Sequence, residues 1–225
     1  MHIEPGIVNG AKMILGMVTA AGAGLWTVKL AFEAAAARGL PALAARSAMA
    51  TAATFVCFQV LPHQPVGVSE VHLTLGSTLF LLFGAAPAAV GLALGLLLQG
   101  VFFAPIDLPQ YGMNVTTLLV PLFLVAALAR RIVAPGTAYA DLSYEQVMRL
   151  SLAYQGGVVA WVAFWAFWGQ GVTAAMFAAV GSFGAAYLLV VAIEPLIGQG
   201  LLACAKALRG RGAEALFAER IYAGA

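Results

Sequence analysis

Charge is what this chain has least of. Only 9% of its 225 residues are Asp, Glu, Lys or Arg, against 63% hydrophobic, whereas a soluble domain carries about a quarter charged residues. That scarcity excludes a water-soluble globular domain, and a net charge of only +2 gives no reason to expect nucleic acid as a partner. Cysteine is nearly missing: Cys57 and Cys204 lie far apart in apolar stretches with no C-x-x-C spacing, and both read as small hydrophobes facing helix or lipid. There is no G-x-x-x-x-G-K-[ST] run, so the chain is not expected to hydrolyse nucleotide through a P-loop of its own. There is no H-E-x-x-H either, which argues against the common intramembrane zinc protease pattern. A basic leader is also lacking. The first apolar run, about 30 residues, exceeds the 7–15 of a signal peptide core, and is expected to remain as an uncleaved helix.

What the chain does have is long apolar runs. They can be drawn as Ile7–Ala36, Leu43–Leu61, Val71–Phe83, Pro87–Phe103, Met113–Val133, Leu150–Trp168 and Val172–Leu202. At roughly 20 residues per crossing they predict an all-α integral membrane protein, a single polytopic domain over residues 1–225. About seven transmembrane helices are expected, with six as the alternative, because the third run is short and the fourth marginal. Gly84 and Pro87 predict a tight turn between those two. The basic residues decide the count, since cytoplasmic loops collect Lys and Arg. With seven crossings and the N-terminus outside, every basic residue except Lys12 falls on the cytoplasmic side: Lys29, Arg38, Arg46, Arg130, Arg131, Arg149, Lys206, Arg209, Arg211 and Arg220. The last four belong to a short basic C-terminal tail from about residue 206 to 225.

The same count places all three histidines, His2, His63 and His72, on the outer side with Glu4, Glu70 and Asp107. The start Met1-His2 carries chemistry. A retained Met1 offers its free amine, and His2 offers its amide nitrogen and imidazole. Amine with amide closes a five-membered chelate and amide with Nδ1 a six-membered one, leaving one corner of a square plane. Planar all-nitrogen coordination suits Ni(II) or Cu(II), with Co(II) possible. The plain alternative is an incidental histidine at a loose start. In Leu61-Pro-His-Gln-Pro-Val-Gly-Val-Ser-Glu-Val-His72, Pro62, Pro65 and Gly67 predict an irregular loop. Ser69 is expected to N-cap the third helix, with His72 in its first turn reaching beneath the N-terminus as a metal ligand. His63 is expected nearer the surface, as a bystander or an alternative ligand. Asn114 either caps its helix or hydrogen-bonds a ligating histidine, which would fix tautomer and ring orientation.

Three further features have two readings each. Gly16, Ala20 and Gly24 recur every four residues on the first helix, for packing within the bundle or for docking a membrane partner. Trp161, Trp165 and Trp168 share a helix face, as an interface anchor or as the wall of a pocket for a flat organic ligand. Glu194-Pro195 puts an acid inside the last span, where charge is costly and often functional, paired with a cation or with polar backbone.

With these residues in hand, the chain resembles the CbiM/NikM family, the substrate-capture (S) components of energy-coupling-factor (ECF) type ABC transporters for cobalt and nickel. The start Met1-His2-Ile3 matches that family's opening, and Glu4-Pro5-Gly6 departs from its continuation. Pro65-Val-Gly67-Val-Ser69-Glu-Val-His72 is similar to the family's loop ending in histidine, and Gly112-Met-Asn114 to its Gly-Ala-Asn. The resemblance implies seven helices and coordination of Co2+ or Ni2+ as transported substrate by the Met1 amine, the His2 amide and imidazole and the His72 imidazole, with Asn114 and Ser69 in support. It also implies a transmembrane coupling protein and cytoplasmic ABC ATPases as partners, in the cell inner (plasma) membrane, with no enzyme activity and no permanent cofactor in this chain. Two rivals stand beside it: a carrier for a small organic, vitamin-like ligand using the tryptophan face, and a membrane assembly subunit using Glu194 and the outer acids.

Overall fold

The structure is a computed structural model that describes residues 3–212 and 214–222. Seven α-helices follow in chain order: α1 (Met13–Arg38), α2 (Leu40–Phe55), α3 (Gly76–Phe83), α4 (Ala85–Phe102), α5 (Tyr111–Ile132), α6 (Tyr144–Gln170) and α7 (Ala174–Ala207). Six helical stretches are long and apolar enough to cross a membrane, the second being α2 with its π-helical extension Val56–Val60, and α3 is the exception. The all-α membrane fold expected from the apolar runs is therefore what the chain adopts, with seven helices of which six are full spans. Lipid accounts for the exposed apolar surface: Leu25 and Phe32 on α1 and Leu188 and Leu189 on α7 all face outward, as helices in hydrocarbon do.

Small residues bring the spans together. On α4, a Cβ added at Gly91 would lie 2.4 Å from the Ala50 Cβ, and one at Gly95 2.6 Å from Thr54, so α2 and α4 meet nearly backbone to backbone, the usual device where lipid gives no hydrophobic drive to association. The stripe on α1 is spent in the same way at two of its three positions. Gly16 sits against Met113 of α5, Ala20 lies 3.5 Å from where a Cβ on Gly112 would stand, and a Cβ on Gly24 would meet no other element within 4 Å.

The third apolar run departs from its expected shape. Val71–Phe83 reads as one helix, yet α3 begins only at Gly76, and residues 64–71 form a small antiparallel hairpin, β1 (Gln64–Val66) and β2 (Ser69–Val71). Gly67 makes the turn with φ of 64°, a left-handed conformation that glycine enters without steric cost. The tip packs so tightly on α7 that a Cβ there would stand 2.1 Å from the Ala179 carbonyl oxygen. Ser69 is consequently a strand residue paired with Val66, not the N-cap of α3, and His72 lies in the extended stretch before α3 instead of in its first turn. The two short arms pair with each other's backbone, in the register Gln64 to Val71, Pro65 to Glu70 and Val66 to Ser69.

All eight residues of α3 are buried, so its ends have no water to bond. At its start, Glu194 of α7 accepts from the Ser77 N–H (3.2 Å), the Ser77 hydroxyl (2.8 Å) and the Thr78 N–H (3.4 Å). The other carboxylate oxygen accepts from Ser151 Oγ (2.5 Å) and Gln155 Nε2 (2.7 Å) of α6. Five donors and the positive end of a helix suit an acceptor-only carboxylate. At the far end, Arg46 Nη1 donates to the Phe83 carbonyl (3.4 Å), and the Ala218 N–H to the Leu82 carbonyl (2.7 Å). Gly84, with φ of 90°, then turns the chain tightly into α4, as expected from sequence.

The basic tail does not hang free. Residues 214–222 fold back under α3: Phe217 accepts from Arg38 Nη1, its ring stacks on Phe83, Ile221 is buried, and Arg220 lies over Tyr139. Arg38 at the end of α1, Arg46 in α2 and Arg220 in the tail thus gather at one end of the bundle. The N-terminal segment, the hairpin and the α6–α7 turn meet at the other, where Lys12 donates to the Gly169 carbonyl and Gln170 to the Gly6 and Ile7 carbonyls.

Candidate metal-capture site

The N-terminal segment is sewn into that second end by its backbone. Ile3 pairs antiparallel with Ser69 of β2, and the Glu4 N–H donates to the Val68 carbonyl (3.2 Å). The Ile3 N–H donates to Asn114 Oδ1 at 2.9 Å. Asn114 is the fourth residue of α5 and does not cap it; its side chain holds the backbone of residue 3. Ile3 is 1% exposed and Val8 is buried, and with Met113 and Trp165 they form an apolar plug of their own. Met1 and His2, the two residues expected to supply three nitrogen donors, lie outside the described residues.

His72 is 0% exposed. Its ring is clamped between Phe58, with centroids 4.7 Å apart, and His63, also 4.7 Å and nearly parallel at 17°. His63, expected nearer the surface, is indeed less buried than His72, and its ring stacks on that of His72. His72 Nε2 lies 3.0 Å from Glu70 Oε2. In the extended run the two residues are i and i+2, which places them on the same face. From sequence Glu70 is one of the outer acids, and its two-residue spacing from His72 pairs the two only when the segment is extended rather than helical.

Three acids lie near one another at this end. Glu4 is held above the ordinary carboxyl value, first by burial and then by the nearby charges of Glu70 and Asp107, so the three carboxyls share one neighbourhood. Among the described residues no group of three or more His, Cys, Asp or Glu side chains is arranged to hold a metal ion.

The tryptophans do not form one wall. Trp165 is fully buried in the plug around Ile3, Trp161 donates to Thr116 Oγ1 (3.1 Å), and the partly exposed Trp168 donates to the Lys12 carbonyl (3.3 Å). Only Trp168 fits the interface reading. Below the site, Thr74 connects the stretch after His72 to the Glu194 cluster. Its carbonyl accepts from the same Gln155 Nε2 that bonds Glu194, and its hydroxyl is 3.2 Å from Tyr187 OH.

The model of one protein family, described as cobalt uptake substrate-specific transmembrane region (CbiM), matches residues 2–211. Neither a curated protein nor a solved structure matches the chain.

Proposed function

Because the chain belongs to the CbiM family of cobalt uptake substrate-specific transmembrane regions, we propose that it captures Co2+ or Ni2+ through the Met1 amine, the His2 amide and imidazole and the His72 imidazole. The observation that carries this reading is the pinning of Ile3. Residue 3 is fixed between Ser69 and Asn114, three positions along the strand from His72. In this reading the two preceding residues, with a reach of about 7 Å, bring their nitrogens to that buried ring. Four nitrogens in a plane suit Ni(II) and accept Co(II). Asn114 supports the site through the Ile3 amide, Ser69 through its pairing with Ile3, and His63 through its stack on His72; as an alternative ligand His63 is second to His72.

In this reading the end bearing the N-terminus faces outward and the arginine-rich end faces the cytoplasm, in keeping with the loop distribution of Lys and Arg. Release to the inside requires an ATP-driven stroke from a transmembrane coupling protein and cytoplasmic ABC ATPases, as in an ECF-type assembly. The test is nickel and cobalt titration of the purified chain with its native start, beside a version carrying one extra residue before Met1. Loss of tight binding in the extended version supports the terminal amine as a ligand. Equal binding by both, or binding by neither, refutes it.

A further inference from the structure

The contact between His72 and Glu70 assigns work to a residue outside the four-nitrogen set. This inference rests on the metal-capture reading and deepens it. An imidazole that ligates a metal must offer one nitrogen as a lone pair, and the other is then the N–H. Which nitrogen plays which part is set by the hydrogen bond the second one makes. In this chain the choice is made by geometry before any metal arrives. Glu70 Oε2 stands 3.0 Å from His72 Nε2, and a carboxylate only accepts. The neutral ring therefore carries its proton on Nε2.

The ring also has little freedom to turn. Phe58 and His63 stand against it, each 4.7 Å away between centroids, and the side chain is 0% exposed. Glu70 is itself held, since its strand is paired to β1 through Pro65 and Ser69 beside it is bridged to Ile3.

We propose that Glu70 is a positioning residue of the capture site: its carboxylate takes the Nε2–H of His72, so the ring presents Nδ1 to the metal in a fixed orientation. The charge of that carboxylate, beside Glu4 and Asp107, favours the approach of divalent cations.

Two variants separate the parts of this role. Glu70→Gln keeps an acceptor oxygen for the Nε2–H and loses the charge, whereas Glu70→Ala loses both. The first readout uses no metal: nitrogen NMR of the histidine-labelled chain in detergent, with His72 assigned by His72→Ala. The wild type and Glu70→Gln are expected to show the Nε2–H tautomer, and Glu70→Ala a mixture. The second is nickel and cobalt affinity with the native start. Loss of a carboxylate behind a ligating histidine lowers metal affinity by about 10–100-fold, and that is expected of Glu70→Ala, with Glu70→Gln in between and a shifted nickel absorption spectrum in Glu70→Ala. If Glu70→Ala keeps the wild-type tautomer, or binds both metals as the wild type does while His72→Ala does not, the role of Glu70 is refuted and metal capture stands. If the wild type binds neither metal although its His72 shows the Nε2–H tautomer, metal capture is refuted and this role with it.

Discussion

Glu194 and Arg46 stand at opposite ends of the same buried helix. Glu194 takes the N–H groups that open α3, and Arg46 gives a hydrogen bond to the carbonyl that closes it. Acid at the start and base at the end match the helix dipole. In hydrocarbon, where an unmet backbone group costs several kcal/mol, this is how an eight-residue helix is kept inside a membrane bundle.

Glu194→Ala should therefore be among the most damaging single changes. It strands buried donors on Ser77, Ser151 and Gln155, each worth about 1–3 kcal/mol when left unmet. A total loss above about 3 kcal/mol is expected in thermal unfolding of the purified chain in detergent. Ser151→Ala, which leaves four of the five donors, should cost only about 1 kcal/mol. Equal costs for the two would show that the carboxylate does not organise the cluster.

Gly67 and Gly136 make a controlled pair. Both have positive φ, 64° and 84°, but a Cβ at Gly67 meets the Ala179 carbonyl at 2.1 Å and one at Gly136 meets nothing within 4 Å. Gly136→Ala should cost only the backbone strain, about 1 kcal/mol. Gly67→Ala adds an overpacking cost of about 1–3 kcal/mol and pushes the hairpin off α7, so metal affinity should fall with it. Parallel melting and nickel titration of both variants check the contrast.

Metal affinity should fall with pH. The proposed donors are two neutral imidazoles with a reference pKa of about 6.5, an amine near 8 and an amide nitrogen that ligates only once deprotonated, and protons compete for all of them. Below each of these values binding should weaken by about tenfold per pH unit for each proton displaced. Calorimetric titration from about pH 8 to pH 6 measures the slope. Tighter binding on acidification would contradict nitrogen coordination.

Trp165 separates packing from recognition. Its indole N–H is buried with no hydrogen-bond partner among the described residues, so Trp165→Phe should change stability by less than about 1.5 kcal/mol. Trp165→Ala opens a cavity under Ile3 and should cost about 3–5 kcal/mol, loosening the N-terminal segment and weakening metal binding. If Trp165→Phe alone abolished ligand binding, the aromatic-pocket reading would return.

Much of this was legible from residue order. The seven apolar runs marked the seven helices, six of them long enough to span, the arginines marked one end of the bundle, and Gly84 marked the tight turn. The hairpin was hidden because three-residue strands leave almost no alternation to read, and because His72-Leu-Thr-Leu continues an apolar run that looks helical. Ser69 was misplaced for the same reason: a serine ahead of an apolar run is the mark of an N-cap, and only the pairing of β1 with β2 overrides it. Glu194 was recognisable as unusual, yet its partners come from residues more than a hundred positions earlier and from Ser151 and Gln155, whose four-residue spacing on α6 puts them on one face. Asn114 was identified, but the Ile3 amide as its partner depends on how a strand and a helix meet.

The short helix also sets the order in which the molecule can be completed during synthesis. Arg46 is already made when Phe83 emerges, so the closing end of α3 finds that partner at once. The opening end waits: Ser77 leaves the ribosome 117 residues ahead of Glu194, and Leu82 gains its second contact only with Ala218, in the last stretch of the chain. The centre of the protein is therefore the last part to settle, and a nascent chain stalled before α7 holds an uncapped helix that the insertion machinery has to shelter from lipid.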